Sequence, residues 1–366
     1  MSKNIMSKKV IVLYAGFIHK GGGVVTHLKN LEKGLTQAGY KVDVWSLDKT
    51  ILLGYFVAGI EKIFDRILPP SGKLLRYFAT KILFYFQLKK QYLKYDYLIF
   101  EDVFSFPHAK NPKKLYFFHG YRADFLGDLT FRIKFFEKIL LNYEINCLKK
   151  VKSQTAFVSR EHKDLIAKTF NLNLDSAPVI ENSTDLSLIE SVLKNNYQKE
   201  NTILSVGLLI KRKNPDFILE LAKKIKTDGI GFKIKLIGDG PEFAKIKNKI
   251  EKYQLTDIVI LTGKLSYKET LEELAKSKIF ILPSFKESFS FVLLEAKLLG
   301  NYTIATEGLA VPDIFVDKFL PLDVNLWMEE IKDPSSKKEI NIEEMKGRFS
   351  LERQINQIIN YFEKNI

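Results

Sequence analysis

The feature that most constrains this chain is an alternation, run twice, of short apolar segments with amphipathic ones. In the first run, Lys9 to Ala15 is apolar on both faces, as a strand in the middle of a parallel sheet must be. Gly21, Gly22 and Gly23 follow. A segment from Val24 to Ala38 then carries Val25, Leu28, Leu31 and Leu35 at helical spacing and is closed by Gly39. Val42 to Leu47 reads as the next strand. A strand, a glycine-rich turn, a helix and a second strand open a doubly wound α/β domain. Further strands are expected at Tyr97 to Phe100, Leu115 to Phe118, Gln154 to Ser159 and Pro178 to Glu181, with helices near Phe131 to Lys149 and Glu161 to Lys168.

The second run repeats the logic. Thr202 to Val206, Lys233 to Ile237, Ile258 to Leu261, Ile279 to Leu282 and Tyr302 to Ala305 read as strands. Helices are expected at Pro215 to Lys224, Glu242 to Lys252, Tyr267 to Lys276 and Phe289 to Leu299. Polar residues dominate Asn182 to Asp185 and Asn195 to Asn201, which places a linker over 186–200. The 366 residues suit two domains of roughly 150 to 180 residues each. The expected organisation is a first domain over 1–185, a second over 201–344, and one amphipathic helix over 345–366. Two facing doubly wound domains should bind ligands at the C-terminal edges of their strands.

Composition narrows the ligand. The net charge of +14 draws anions, which leaves phosphorylated substrates, an anionic membrane surface or nucleic acid. No nucleic-acid motif accompanies the charge, so nucleic acid is not expected as a partner. A single cysteine, Cys147, excludes a disulfide framework and a cysteine-rich zinc site within the chain. The five histidines show no His-x3-His spacing and no Asp-x-Asp triplet occurs, so no metal site is expected. The apolar run Val10 to Ile18 mimics a short signal peptide, but it ends in His19-Lys20 and lacks a cleavage site, and a buried strand explains it better. No apolar stretch reaches the roughly 18 residues that span a bilayer. A reducing, cytoplasmic setting is the expectation.

The chemistry concentrates at strand ends of the second half. The Ile279 to Leu282 strand leads into a loop that carries Glu287. A helix starting there would aim the amides of Ser288, Phe289 and Ser290 into the cleft as an anion site. Glu295 lies about two turns further on, and paired carboxylates suit sugar hydroxyls. Gly207 closes another strand, with Lys213 six residues on. Gly238-Asp239-Gly240-Pro241 and Thr262-Gly263 close two more.

These elements, in this order, resemble the donor-binding domain of glycosyltransferase family 4, of the GT-B fold. The resemblance runs from about Ile203 to Ile314 through Ser205-Val-Gly207 with Lys213, Ile237 to Pro241, Leu261 to Gly263, and Pro283 to Ala296. Val179 to Asp185 resembles the segment before the family's linker. Phe349 to Arg353 resembles its final helix, which in that fold crosses back to the first domain. The resemblance implies a retaining, metal-independent transferase needing no cofactor beyond a nucleotide-diphosphate sugar, with a UDP-linked hexose or N-acetylhexosamine foremost. It places Glu287 at the donor sugar, Glu295 on the ribose and Lys213 on the phosphates. Gly22 and Gly23 approach the phosphates from the first domain, with Gly207 and Gly263 at the donor-domain strand ends. His119 reaches the sugar. Leu208 stands where the family has Arg, a loss that Lys211 or Arg212 could make good. Ser290 replaces a family glycine, and Gly308-Leu309-Ala310 replaces a glycine pair.

Bulky apolar side chains alternate with Lys and Arg over 51–94. Two readings stay open: helices packed on the first sheet, or a basic amphipathic surface docking on anionic lipid. The second suits a peripheral enzyme with a saccharide or lipid-linked saccharide acceptor, as in lipopolysaccharide or capsule synthesis. Two rival functions remain. Gly21 to Gly23 with Asp43 or Asp48 loosely mimics a dinucleotide fingerprint, though Thr26 occupies its third glycine position. A catalytically weak sugar-nucleotide-binding subunit would account for Leu208.

Overall fold

The computed structural model describes residues 8–14, 18, 22–46, 59, 92–101, 113–120, 131–334, 337–338 and 341–364, with the backbone alone over 131–137. The segment 51–94, with its two readings, lies outside the described residues except for residue 59 and a short turn at Tyr92–Lys94. Among the described residues, no helix is long and apolar enough to cross a membrane. The chain forms two compact units, Met1–Ser183 with Leu351–Ile366, and Thr184–Ser350.

The first unit is built on a five-stranded parallel sheet of β1 (Lys9–Tyr14), β2 (Lys41–Ser46), β3 (Tyr97–Phe100), β4 (Lys114–Phe118) and β5 (Thr155–Phe157) in the order β2-β1-β3-β4-β5. Val10 to Leu13, all of β3 and Leu115 to Phe118 are buried on both faces, which is why these segments read as continuous apolar runs. Helix α1 (Gly23–Gln37) joins β1 to β2, α2 (Phe131–Val151) lies between β4 and β5, and α3 (Arg160–Phe170) follows β5. The strand expected at 178–181 is reduced to one bridge between Phe157 and Val179.

The second unit carries a six-stranded parallel sheet, β11-β10-β9-β6-β7-β8. Its strands are β6 (Glu200–Val206), β7 (Lys233–Ile237), β8 (Val259–Gly263), β9 (Ser277–Leu282), β10 (Tyr302–Thr306) and β11 (Lys318–Leu320). Helix α4 (Leu186–Leu193) occupies half of the stretch read as a linker. Asp185 caps it by accepting the Ser187 amide, and Ile189 and Val192 are buried. Helices α5 (Pro215–Thr227), α6 (Phe243–Lys252), α7 (Tyr267–Lys276), α8 (Phe291–Leu298), α9 (Val324–Lys332) and α10 (Ile342–Arg348) complete the unit.

The tail is two helices, not one. After α10, Phe349 is buried against Phe289 and Phe315 of the second unit, and its carbonyl accepts the Thr184 amide. The last helix, Leu351–Lys364, belongs to the first unit. Its stripe of Ile355, Ile358 and Phe362 is buried, each worth about 1.5–3 kcal/mol of apolar transfer. Phe362 stacks on Tyr97 with ring centroids 4.4 Å apart. Gly34 on α1 permits the close approach, since a Cβ there would stand 2.6 Å from Ile355 Cγ1.

Each sheet reverses its winding once. The order places that reversal between β1 and β3 in the first unit and between β6 and β9 in the second. In open α/β sheets, the crevice beyond the strand ends at such a point is where ligands bind.

Candidate functional site

In the second unit, the loops after β6 and β9 meet at the reversal. Leaving β6, the chain passes Gly207 and makes a tight turn at Lys211–Lys213. Asn214, at φ 52°, then leads into α5 with Pro215 as its first residue. From the β9 loop, the Phe285 amide donates to the Arg212 carbonyl at 2.9 Å, and Arg212 Nη1 donates to the Lys286 carbonyl. The two loops are therefore joined in both directions. Glu287 is held between them, with its Oε1 2.7 Å from Lys213 Nζ and 3.2 Å from Arg212 Nη1. Burial pushes the Glu287 carboxyl up, but the Lys213 and Arg212 charges outweigh it and hold the group below its ordinary range. Lys211, Arg212, Lys213 and Lys286 against one carboxylate leave the loop pair net positive.

Glycines shape the strand ends beside this cluster. The Gly207 amide donates to the Ile237 carbonyl and the Gly238 amide to the Gly263 carbonyl, which links three successive strand ends. A Cβ on Gly238 would stand 1.9 Å from the Gly207 carbonyl oxygen, so no other residue fits there. A Cβ on Gly207 would meet Lys213 Cε at 3.4 Å, because the lysine stem lies over the bare backbone.

The β9–α8 loop departs from expectation. Helix α8 begins at Phe291 with Ser290 as its cap, so the amides of Ser288, Phe289 and Ser290 precede the helix rather than form its first turn. Phe289 points into the core against Phe291, Phe315 and Phe349. Ser290 adopts φ 65°, the left-handed conformation that favours glycine, and among the described residues its buried Oγ has no hydrogen-bond partner. That is the physical reason a glycine suits this position. Ser290→Gly is expected to stabilise the fold by about 1 kcal/mol. The check is the urea midpoint, and a lower midpoint would show that the serine side chain is needed. The Gly308-Leu309-Ala310 turn still braces the site, with the Ala310 amide donating to the Glu287 carbonyl at 3.2 Å.

Glu295 sits apart from this ion cluster in its contacts. It is buried on α8 and accepts from Tyr267 Oη at 3.0 Å, and Thr184 Oγ1 lies 3.4 Å from the same phenol oxygen. Burial raises its carboxyl to about 8, and the single phenol hydrogen bond only partly offsets this. Tyr267 had no role in the sequence reading, and nothing in the local sequence marks it.

In the first unit, Gly22 takes φ 104° at the cap of α1, and Gly23 is the first helical residue. His119 follows β4 directly. Its Nε2 lies 2.8 Å from Oε2 of Glu101, which follows β3, and the same oxygen lies 2.8 Å from His27 Nδ1 of α1. Glu101 and His27 are buried and the sequence reading assigned them no role. An acidic pair, Glu101-Asp102, directly after an apolar strand was the available signal for Glu101.

Two family models match this chain. Glycosyltransferase Family 4 covers residues 21–188 and Glycosyl transferases group 1 covers residues 190–341. The chain is 28% identical over 113 residues to the phosphatidylinositol N-acetylglucosaminyltransferase gpi3 subunit of Schizosaccharomyces pombe, covering 31% of this chain and 25% of the relative. It is 28% identical over 118 residues to the putative colanic acid biosynthesis glycosyltransferase WcaL of Escherichia coli, covering 31% and 29%. It is 33% identical over 117 residues to the N-acetyl-alpha-D-glucosaminyl L-malate synthase of Bacillus anthracis, covering 32% and 30%. The matched part is thus under a third of each of these relatives. The fold resembles that of sucrose-phosphate synthase from Thermosynechococcus elongatus, with a TM-score of 0.70 at 15% identity over 98% of both chains. It also resembles Anabaena HepE, solved with UDP and glucose, with a TM-score of 0.64 at 15% identity over 98% of this chain and 100% of that one. With both family models side by side along it and two parallel α/β sheets of the GT-B class, this chain belongs to glycosyltransferase family 4.

Proposed function

We propose that the protein is a retaining glycosyltransferase that moves a hexose or N-acetylhexosamine from a nucleotide-diphosphate sugar, foremost a UDP-sugar, to a saccharide acceptor. The observation that carries this reading is the Lys213, Arg212 and Glu287 cluster at the β6/β9 reversal. A departing nucleoside diphosphate is a weak base and needs no proton at neutral pH. What it needs is fixed positive charge where its own negative charge grows. Lys213 and Arg212 supply that charge on this reading, with Arg212 standing in for the arginine that Leu208 replaces. Glu287 accepts donor-sugar hydroxyls and Glu295 accepts the ribose hydroxyls, and in the first unit Gly22, Gly23 and His119 are the residues that the family resemblance assigns to the donor. Two of the relatives are named for N-acetylglucosamine, and WcaL for colanic acid biosynthesis. These names support an aminosugar donor and a cell-surface or lipid-linked acceptor. Thermal unfolding with UDP-, GDP- and ADP-sugars tests the reading. A true donor at 100 times its Kd adds about 2.7 kcal/mol of stability. A Glu287→Ala variant should lose most of that gain. Equal shifts in both proteins, or no shift with any sugar nucleotide, would sink it.

A second reading, a sugar-nucleotide-binding subunit of low activity, is favoured by Leu208, which is exposed where the family carries a cation. It differs in one outcome: donor binding without transfer or donor hydrolysis.

A further inference from the structure

The cluster around Glu101 contains enough hydrogen bonds to assign its protons. On the last helix, Gln354 Oε1 accepts from Ser183 Oγ at 2.7 Å, and Gln354 Nε2 donates to the Glu181 carbonyl at 2.9 Å. A carbonyl only accepts, so the amide cannot be turned round. Its Nε2, a donor, lies 3.2 Å from His27 Nε2, which must then be the ring nitrogen with the lone pair. The proton of neutral His27 is therefore on Nδ1, directed at Glu101 Oε2. That oxygen also takes the Nε2 proton of His119. In neutral His119 the lone pair then resides on Nδ1.

We propose that Glu101 is a positioning residue that fixes His119 as the tautomer with an accepting Nδ1, while His27 and Gln354 hold the Glu101 carboxylate in place. A substrate hydroxyl meeting His119 would donate to it, not accept from it. This rests on the reading above in which His119 serves the donor sugar. Burial pushes the Glu101 carboxyl up, but the two histidines outweigh it and hold it at about 2, so the anchor is ionised across the working range. Among the described residues, Glu101 Oε1 is buried with no hydrogen-bond partner, and the two side-chain hydrogen bonds to this carboxylate fall on the oxygen that meets the histidines.

A divalent metal is the competing occupant, since the three donor atoms lie within 4.8 Å of one another. It would need the lone pair of His27 on Nδ1. That would turn the Nε2 proton of His27 against the Gln354 amide protons, so the network opposes it.

The test is a nitrogen–proton correlation of the histidine rings in the full-length protein, paired with initial rates. His119 should show a protonated Nε2 and an unprotonated Nδ1, and His27 the reverse. In Glu101→Leu the His119 preference should vanish, kcat should fall by about 10- to 100-fold and the donor KM should stay within about 3-fold. Glu101→Gln keeps an accepting oxygen, so it should restore the tautomer and bring kcat back to within about 3-fold of the unmodified protein. A His119 protonated on Nδ1 in the unmodified protein overturns the proposal, even if the leucine variant does not fold. So does a tautomer unchanged in Glu101→Leu, or saturable Zn²⁺ binding that shifts both rings at one equivalent. If no sugar is transferred, the spectra still decide the positioning role, and the failure lies with the functional reading alone.

Discussion

Replacing Lys213 with alanine is expected to lower kcat/KM for sugar transfer by about 10²- to 10³-fold, equivalent to about 2.7–4 kcal/mol of lost transition-state stabilisation. The size follows from where the charge sits before any ligand arrives. Lys213 lies along the bare backbone of Gly207, its Nζ fixed 2.7 Å from Glu287. On the proposed reading, such a charge needs no reorganisation as the sugar–phosphate bond breaks, so its effect grows with the charge on the leaving group and falls mainly on kcat. Arg212→Ala should cost less, because that guanidinium is also engaged with the Lys286 carbonyl. Initial rates over a range of donor concentration separate the two constants. A Lys213→Ala enzyme within about 3-fold of the unmodified rate would remove Lys213 from the chemistry.

What could be read from the sequence was what burial on both faces writes into it. Val10 to Leu13, Tyr97 to Phe100 and Ile279 to Leu282 are continuous apolar runs because parallel strands are covered on both sides. The strand-end glycines were legible for a related reason. Gly238 passes so close to the Gly207 carbonyl that only glycine fits at 238, and that need shows as a residue type. Lys213 and Glu287 could be named, but their pairing depends on β6 lying beside β9 in the sheet, which no local pattern encodes. Helix α4 was hidden by its shortness and its polar neighbours, and β11 by having three residues. Glu101 was the hardest to see. Its partners lie 74 and 18 residues away in sequence, and a charged residue after a strand ordinarily faces water.

Glu295→Gln is expected to stabilise the protein at pH 8 by several kcal/mol and to have little effect near pH 4. The Glu295 carboxyl is raised from 4.5 to about 8 because burial disfavours its charged form. As pH rises from 4.5, the unfolded chain releases this proton and the folded chain does not. Stability is therefore full below 4.5 and falls until the folded group itself ionises near 8. At about 1.36 kcal/mol per pKa unit the loss reaches roughly 4–5 kcal/mol. Glutamine keeps the acceptor for Tyr267 Oη and has no proton to lose, so the loss disappears. Glu287 does not blur the comparison, since its carboxyl is held below its ordinary range and is already ionised over this window. Urea unfolding of both proteins at pH 4.5, 6 and 8 gives the difference directly, and parallel curves would show that Glu295 is ionised in the unliganded fold. A carboxylate so costly to charge is explained if a ligand charges it. Ribose hydroxyls donating to Glu295 would favour the ionised form, so nucleotide binding should release a proton and tighten as pH rises toward 8. Calorimetric enthalpies of UDP binding in buffers of different ionisation heat would reveal that proton. Glu295→Gln should bind UDP more weakly and release no proton, gaining stability at the position where it loses ligand.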